Sequence, residues 1–464
     1  MSKNHAYALG IDIGTTSVKV SVLDIVSQET ICSASQKSAA DTVSDVGHLG
    51  SEQDPDKILH ALSECIRKIP PCAQKQVEGI GVTGQMHGIM LWKGKEVAEA
   101  TDLDTKVVTS PLYTWMDQRC TPEFLATLPA PSSHLQLATG HGCATLFWLT
   151  RHKGEVVTDM GYDCSGSVMD YVVARLCGLK KPVTSVQVAA SLGYFNTQLL
   201  SWNTGILSEN GFPTDLLEEV VPAGNVAGQL QRPWLDIQPH IPVYAALGDI
   251  QCAFLSILQD PHDAVLNLST SIQMGYVVKG DNSVKSSSLE DKSATLCYFP
   301  YFGDEYLALS TGLNGGNVLQ HFVSMLQGWF GEFGFAMSET DIWAKLSDAA
   351  MTSESCSLCI TPTLYGERHQ PSLKASIAGI TSSNTSLGEV FRGLCESIID
   401  NLHTLMSSQV LTQSGHVKRI LASGSVITKN PIVRSRLELV YKDIPIVYGQ
   451  SGDSANGAAK IVKL

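Results

Sequence analysis

The stretch Gly10-Ile11-Asp12-Ile13-Gly14-Thr15-Thr16-Ser17-Val18-Lys19 decides the fold class. Residues 6–14 are a continuous apolar run broken by one carboxylate, Asp12, and closed by Gly14-Thr15-Thr16. After the turn Val18, Val20 and Val22 alternate with small and polar residues, the period of a strand. The pattern predicts a tight β-hairpin. A turn of glycine and hydroxyl residues presents backbone N–H groups as a concave nest that suits phosphate oxygens. Thr15 and Thr16 add hydroxyl donors, Lys19 adds a positive charge, and Asp12 is placed to hold Mg2+ or its waters. An ordinary Gly-Thr hairpin would share all of this except Asp12, because a carboxylate inside an apolar strand needs a partner. The chain has no P-loop lysine motif, so a nucleotide has to be held by turns of this kind.

Outward from the hairpin, a third strand falls near residues 29–34. Asp54-Pro55-Asp56 then opens a helix, with Asp54 as cap and Pro55 in the first position. Ile58, Leu59, Leu62, Cys65, Ile66 and Ile69 recur at helical spacing, and residues 77–83 return to strand. The same order of three strands, helix and strand recurs after residue 260. There, 264–268 and 272–278 flank the turn Ser269-Thr270-Ser271, and 306–310 supplies a third strand. Leu313-Asn314-Gly315-Gly316 leads into a helix with Val318, Leu319, Phe322 and Met325 on one face. A long helix is expected over 387–411, strands over 418–423 and 444–447, and a last helix over 453–461. Two halves of like order point to an α/β protein with a duplicated pattern but no residue-level identity. A length of 464 residues predicts two domains, 1–259 and 260–464, parted where Asp260-Pro261 ends a helix. Residues 280–294 are polar and Ser-rich and read as an exposed loop.

A net charge of −13 argues against nucleic acid and anionic membranes as partners, since both require basic patches. No apolar run reaches the ~18–20 residues of a membrane helix. With no secretory signal in view, the 12 scattered cysteines read as reduced thiols of a cytoplasmic protein. Three motifs are set aside. Cys356-Ser357-Leu358-Cys359 lacks a second ligand pair for zinc. Gly79-Ile80-Gly81-Val82-Thr83-Gly84 matches a dinucleotide fingerprint, yet residues 89–92 and a Gly94-Lys95 turn read as a hairpin where that fingerprint requires a helix. The triplets Asn267-Leu268-Ser269 and Asn384-Thr385-Ser386 carry no meaning without export.

The segment from Asp12 to Lys19 resembles the first phosphate motif of the FGGY family of sugar kinases. Further segments keep that family's order along nearly the whole chain. Gly84-Gln85-Met86-His87-Gly88 is similar to a ketose-contact segment, and Trp115-Met116-Asp117-Gln118-Arg119 to the family's W-x-D-x-R. Gly248-Asp249-Ile250-Gln251 resembles the segment that bears the catalytic aspartate, and Ser269-Thr270-Ser271 falls at the second phosphate turn. Leu313-Asn314-Gly315-Gly316-Asn317 and Gly366-Glu367-Arg368-His369 look like one ketose-kinase branch. The resemblance implies two ribonuclease-H-like domains of the actin and hexokinase type, with ATP and a small ketose sugar in the cleft between them. It implies transfer of the γ-phosphoryl group of ATP to a sugar hydroxyl, with Asp249 as base and Asp12 on the Mg2+ side. Gly14, Thr15, Thr16, Lys19, Ser269, Thr270, Asn314, Gly315 and Gly316 are then expected at the nucleotide, and Met86, His87, Trp115, Asp117, Arg119 and Gln251 at the sugar. Where the family's adenine-side loop reads Gly-Gly-Gly-Ala, this chain has Ser423-Gly424-Ser425-Val426, with Gly424 and Ser425 in the nucleotide position.

The residues also carry a case of their own. Residues 243–247 read as a buried strand, Gly248 turns the chain, and Asp249 starts a helix. Phosphoryl transfer needs a positioned nucleophile and charge stabilisation, and a carboxylate that accepts the hydroxyl proton supplies the first. A plain helix cap would put an aspartate at the same place. Glycines on both sides of the Gln85-Met86-His87 segment permit close approach of a ligand. Asp117 and Arg119 either orient hydroxyls or pair with each other. The rival readings are another ketose or polyol kinase, and a silent actin-like nucleotide-binding module that loss of Asp12 or Asp249 would mark.

Overall fold

The computed structural model describes residues 5–158, 160–280, 295–353, 355–449 and 451–463. Apart from Gly280, the loop expected over 280–294 lies outside the described residues. The chain forms two compact units: Met1–Ser256 with Pro300–Asp304 and Gly452–Leu464, and Ile257–Phe299 with Glu305–Ser451.

In the first unit β1 (Tyr7–Ile13) and β2 (Ser17–Asp24) make the expected hairpin, with Asp12 opposite Lys19 and Ile13 opposite Val18. Strand β3 (Thr30–Lys37) continues the sheet on the far side of β2. Helix α1 (Pro55–Arg67) starts where Asp54 accepts the Asp56 N–H, and it buries Ile58, Leu59, Leu62, Cys65 and Ile66. Strand β4 (Val77–Gly84) then lies parallel to β1. Helices α2 (Val168–Cys177) and α3 (Val186–Leu192) follow, then β5 (Val226–Gln229), β6 (Pro242–Tyr244), β7 (Leu247–Gly248) and helix α4 (Asp249–Ile257). The sheet order is β5-β6-β4-β1-β2-β3, with β7 also on β4.

Two expectations for this unit are corrected. Met90–Trp92 pairs with Cys164–Gly166, not with a hairpin partner, and Gly94–Glu99 is a short helix whose first N–H is bonded by Asp163. The last helix, Ser454–Lys460, expected in the second domain, packs on β1 and β4 of the first unit. Glycine makes that possible. A methyl on Gly10 would lie 1.8 Å from the Ala455 carbonyl oxygen, and one on Gly81 would lie 1.9 Å from that of Ala458. The fingerprint-like glycines thus admit a helix backbone instead of a dinucleotide.

In the second unit β8 (Asp263–Leu268) and β9 (Ile272–Lys279) form the second hairpin. Strands β10 (Cys297–Pro300) and β11 (Glu305–Gly312) precede α5 (Gly316–Glu332) and α6 (Leu387–Leu405), and β12 (Arg419–Ser423) and β13 (Ile446–Tyr448) complete the sheet. Its order is β10-β11-β9-β8-β12-β13. Helix α6 stops short of the expected residue 411, because Met406 leaves helical geometry at φ −144°. With β5, β7 and β10 set aside, the five remaining strands of each sheet, counted along the chain from its hairpin, run third, second, first, fourth, fifth. The first three strands are antiparallel and the last two parallel to the first. The duplication expected from pattern is therefore one of topology, and each half has its own apolar core.

Candidate active site

Sheet register assembles the first cluster. Asp12 on β1 stands beside Thr83 on β4, and Thr83 in turn beside Leu247 on β7, so three neighbouring strands end in one row. The Thr83 hydroxyl donates to the Leu247 carbonyl at 2.9 Å and pins the last pair. Asp249 follows at the start of α4, where its carboxylate accepts the Ile250 N–H at 2.7 Å. Burial pushes the Asp249 carboxyl up from the usual carboxylate range to about 6, against the pull of that bond. Burial, then the charges of Asp249 and Asp453, push Asp12 up to about 7, while Lys19 pulls it down.

Asp453 is a member that the sequence reading missed. It caps the last helix, accepting the Asn456 N–H, and its second oxygen takes the Lys19 ammonium at 2.5 Å. Ser454 donates to the Asp249 carbonyl at 3.0 Å, which ties this helix to the start of α4. Among the described residues the one ion pair made by Asp12, Asp249 and Asp453 is that of Asp453 with Lys19, so the cluster has charge to spare for a cation. Among the described residues no three His, Cys, Asp or Glu side chains converge closely enough to hold a metal ion alone. A hard cation would therefore take a carboxylate such as Asp12 and complete its shell with water and phosphate oxygens, the habit of Mg2+ at nucleotide sites.

Beside this row lies the turn at 14–16. Gly14 N–H donates to the Ser17 carbonyl, Thr15 accepts from Gln53 through its carbonyl, and Thr16 is exposed. The Trp115 indole, 47% exposed, donates to the Thr15 hydroxyl at 3.0 Å. Met86 reaches over Gly248, where an added methyl would meet Met86 Cε at 2.9 Å. His87 takes a left-handed backbone, φ +73°, and its Nδ1 lies 2.8 Å from the Ser191 carbonyl of α3. Its ring stacks on His141 at 4.8 Å. Burial and the neighbouring His87 push His141 down to about 3, so that ring is neutral.

Three of the expected sugar contacts are turned inward. Asp117 accepts from Ser51 N–H and from the backbone and guanidinium of Arg119, which also grips Glu52 at 2.6 Å. Both side chains are essentially inaccessible. Gln251 is buried, with its amide on the Pro300 carbonyl. These residues brace the segments that carry Trp115 and Asp249.

The second unit holds its own cluster. Gly316 N–H donates to the Ser269 carbonyl at 2.8 Å, Asn317 N–H to that of Thr270, and Ser425 N–H to the Ser269 hydroxyl at 3.2 Å. A methyl on Gly315 would meet the Thr270 carbonyl at 3.0 Å, and Gly424 takes φ +112° against Leu268. Ser269, Thr270, Gly315, Gly316, Gly424 and Ser425 thus converge at the start of α5, where the first N–H groups of the helix are taken up by the Ser269 and Thr270 carbonyls. Asn314 does not join them. It is fully buried and spends its amide on the Gly366 carbonyl and on Glu367, which also accepts from Leu313 N–H and Asn401.

Two five-stranded motifs of one topology, each opened by a hairpin with a hydroxyl-bearing turn, define a ribonuclease-H-like architecture. The model of the N-terminal domain of the FGGY family of carbohydrate kinases matches residues 7–256. The chain is 41% identical to the sedoheptulokinase of Homo sapiens over 98% of this chain and 96% of the relative, and equally to that of Mus musculus. Among solved structures, xylulose kinase from Rhodospirillum rubrum superposes with TM-score 0.79 at 19% identity, covering 98% of this chain and 89% of that one. Glycerol kinase from Plasmodium falciparum does so with TM-score 0.76 at 18% identity, covering 98% and 89%. The chain belongs to the FGGY family of carbohydrate kinases, and it is a phosphotransferase with an alcohol group as acceptor.

Proposed function

We propose that the chain transfers the γ-phosphoryl group of ATP to the terminal hydroxyl of sedoheptulose, giving sedoheptulose 7-phosphate. The observation that carries the substrate is the 41% identity, sustained end to end, with two sedoheptulokinases. The xylulose kinase of Klebsiella pneumoniae reaches 27% over 60% of this chain. In this reading Asp249 accepts the proton of the attacking hydroxyl, whose oxygen bonds to the γ-phosphorus as ADP leaves. A carboxyl poised near 6 is ionised at neutral pH yet basic enough for the task. Met86, His87 and Trp115 line the sugar, while Asp117, Arg119 and Gln251 hold those contacts in place. The turn at 14–16 and the cluster at Ser269, Thr270, Gly315, Gly316, Gly424 and Ser425 take phosphates and nucleotide, with Asn314 fixing the glycine pair. Asp12 would hold Mg2+, which supplies charge neutralisation on the phosphates. No described helix is long and apolar enough to cross a membrane. The 12 free thiols suit the cytoplasm.

The test is a panel of ketoses and polyols with ATP and Mg2+, following ADP release. Sedoheptulose should give the highest kcat/KM. A tenfold advantage for D-xylulose, about 1.4 kcal/mol in transition-state binding, would overturn the substrate and leave the family assignment standing.

A further inference from the structure

Two buried amides join the sugar side of the first unit to its phosphate turn. Gln85 is 5% exposed and sits between β4 and Met86-His87, and Gln53 is 1% exposed just before α1. Gln85 Nε2 donates to Gln53 Oε1 at 3.0 Å. Gln53 Nε2 in turn donates to the Thr15 carbonyl at 2.7 Å and to Asp41 at 2.9 Å. The Thr15 carbonyl shares a peptide plane with the Thr16 N–H, a donor of the phosphate turn, so whatever fixes one aims the other. Trp115 holds the same residue from its hydroxyl. Gln85 Oε1 is buried with no partner among the described residues. With the amides desolvated, each bond they do form is costly to lose, and this fixes the geometry of the chain.

We propose that Gln53 is a positioning residue that couples the sugar segment to the first phosphate turn, so that sugar bound at Met86-His87 tightens the hold on the nucleotide. Contact at Met86-His87 fixes Gln85. Gln85 fixes the Gln53 amide, and that amide fixes the peptide between Thr15 and Thr16. The inference rests on the kinase reading above.

The test compares KM for ATP, with Mg2+ present, at low and at saturating sedoheptulose. In the unsubstituted protein the sugar should lower it fivefold or more, a typical coupling. Gln53→Met and Gln85→Met should each reduce that factor below twofold, and the double variant should do no worse than either, as expected for links of one chain. Gln85→Met leaves the bond from Gln53 to Thr15 intact and carries the test if Gln53→Met does not fold. A lowered Tm with the coupling factor unchanged would overturn the proposal, as would an unsubstituted protein without coupling. Absence of turnover with every ketose would instead overturn the kinase reading itself.

Discussion

Asp117 and Asp249 lie in the same unit, each inside a motif expected to meet substrate, and the fold treats them in opposite ways. Asp117 accepts bonds from Ser51 N–H, Arg119 N–H and the Arg119 guanidinium, and its side chain is inaccessible. Asp249 is half-buried, accepts the N–H of its own neighbour, and makes no ion pair among the described residues. One carboxylate has its charge matched and its lone pairs filled. The other is desolvated and raised to about 6. On the proposed function, acceptor capacity left open, rather than membership of a motif, separates the base from the brace.

Variants should sharpen that division. Arg119→Met strands Asp117 and Glu52 in the interior, and removing one partner of a buried ion pair costs about 3–5 kcal/mol. Denaturant unfolding should show a loss of that order, and a midpoint unchanged from the unsubstituted protein would make Asp117 a substrate ligand after all. Asp12→Asn should behave as a site residue. Its kcat should fall at least a hundredfold, about 2.7 kcal/mol, with the fold intact. A magnesium titration of rate that leaves turnover untouched would remove Asp12 from the site. The smallest effect is that of pH. Below about 6 Asp249 is protonated and cannot accept the hydroxyl proton, so log kcat/KM should fall by about one per pH unit. Stability should move the other way. The folded carboxyl binds its proton more tightly than the unfolded one at the ordinary value of 3.8, so stability drops as pH rises from about 4 to about 6. Thermal melts of Asp249→Asn across that range should show a shallower slope, with the share from Asp12, raised to about 7, remaining.

Much of this was legible in short stretches. The Gly14-Thr15-Thr16 turn, the alternating valines and the Asp54-Pro55 cap are local signals, and local structure follows them. Burial and long-range partners are different. Asp453 lies 434 residues from Lys19, and its own surroundings say only that it caps a helix. The inward turn of Asp117 depends on Glu52 and Ser51 arriving from another segment. Gly81 looks like a nucleotide fingerprint until the last helix is seen lying on it.

The central claim is that Asp249 reacts and does not merely cap α4. Melting temperature and kcat of Asp249→Asn, measured on one preparation at pH 8 with sedoheptulose and ATP, test it directly. The account predicts a Tm at or above that of the unsubstituted protein, since an uncomfortable charge is removed, and a kcat at least a hundredfold lower. A variant that loses about 1 kcal/mol of stability and turns over at near the original rate would contradict it, and would make Asp249 the helix cap.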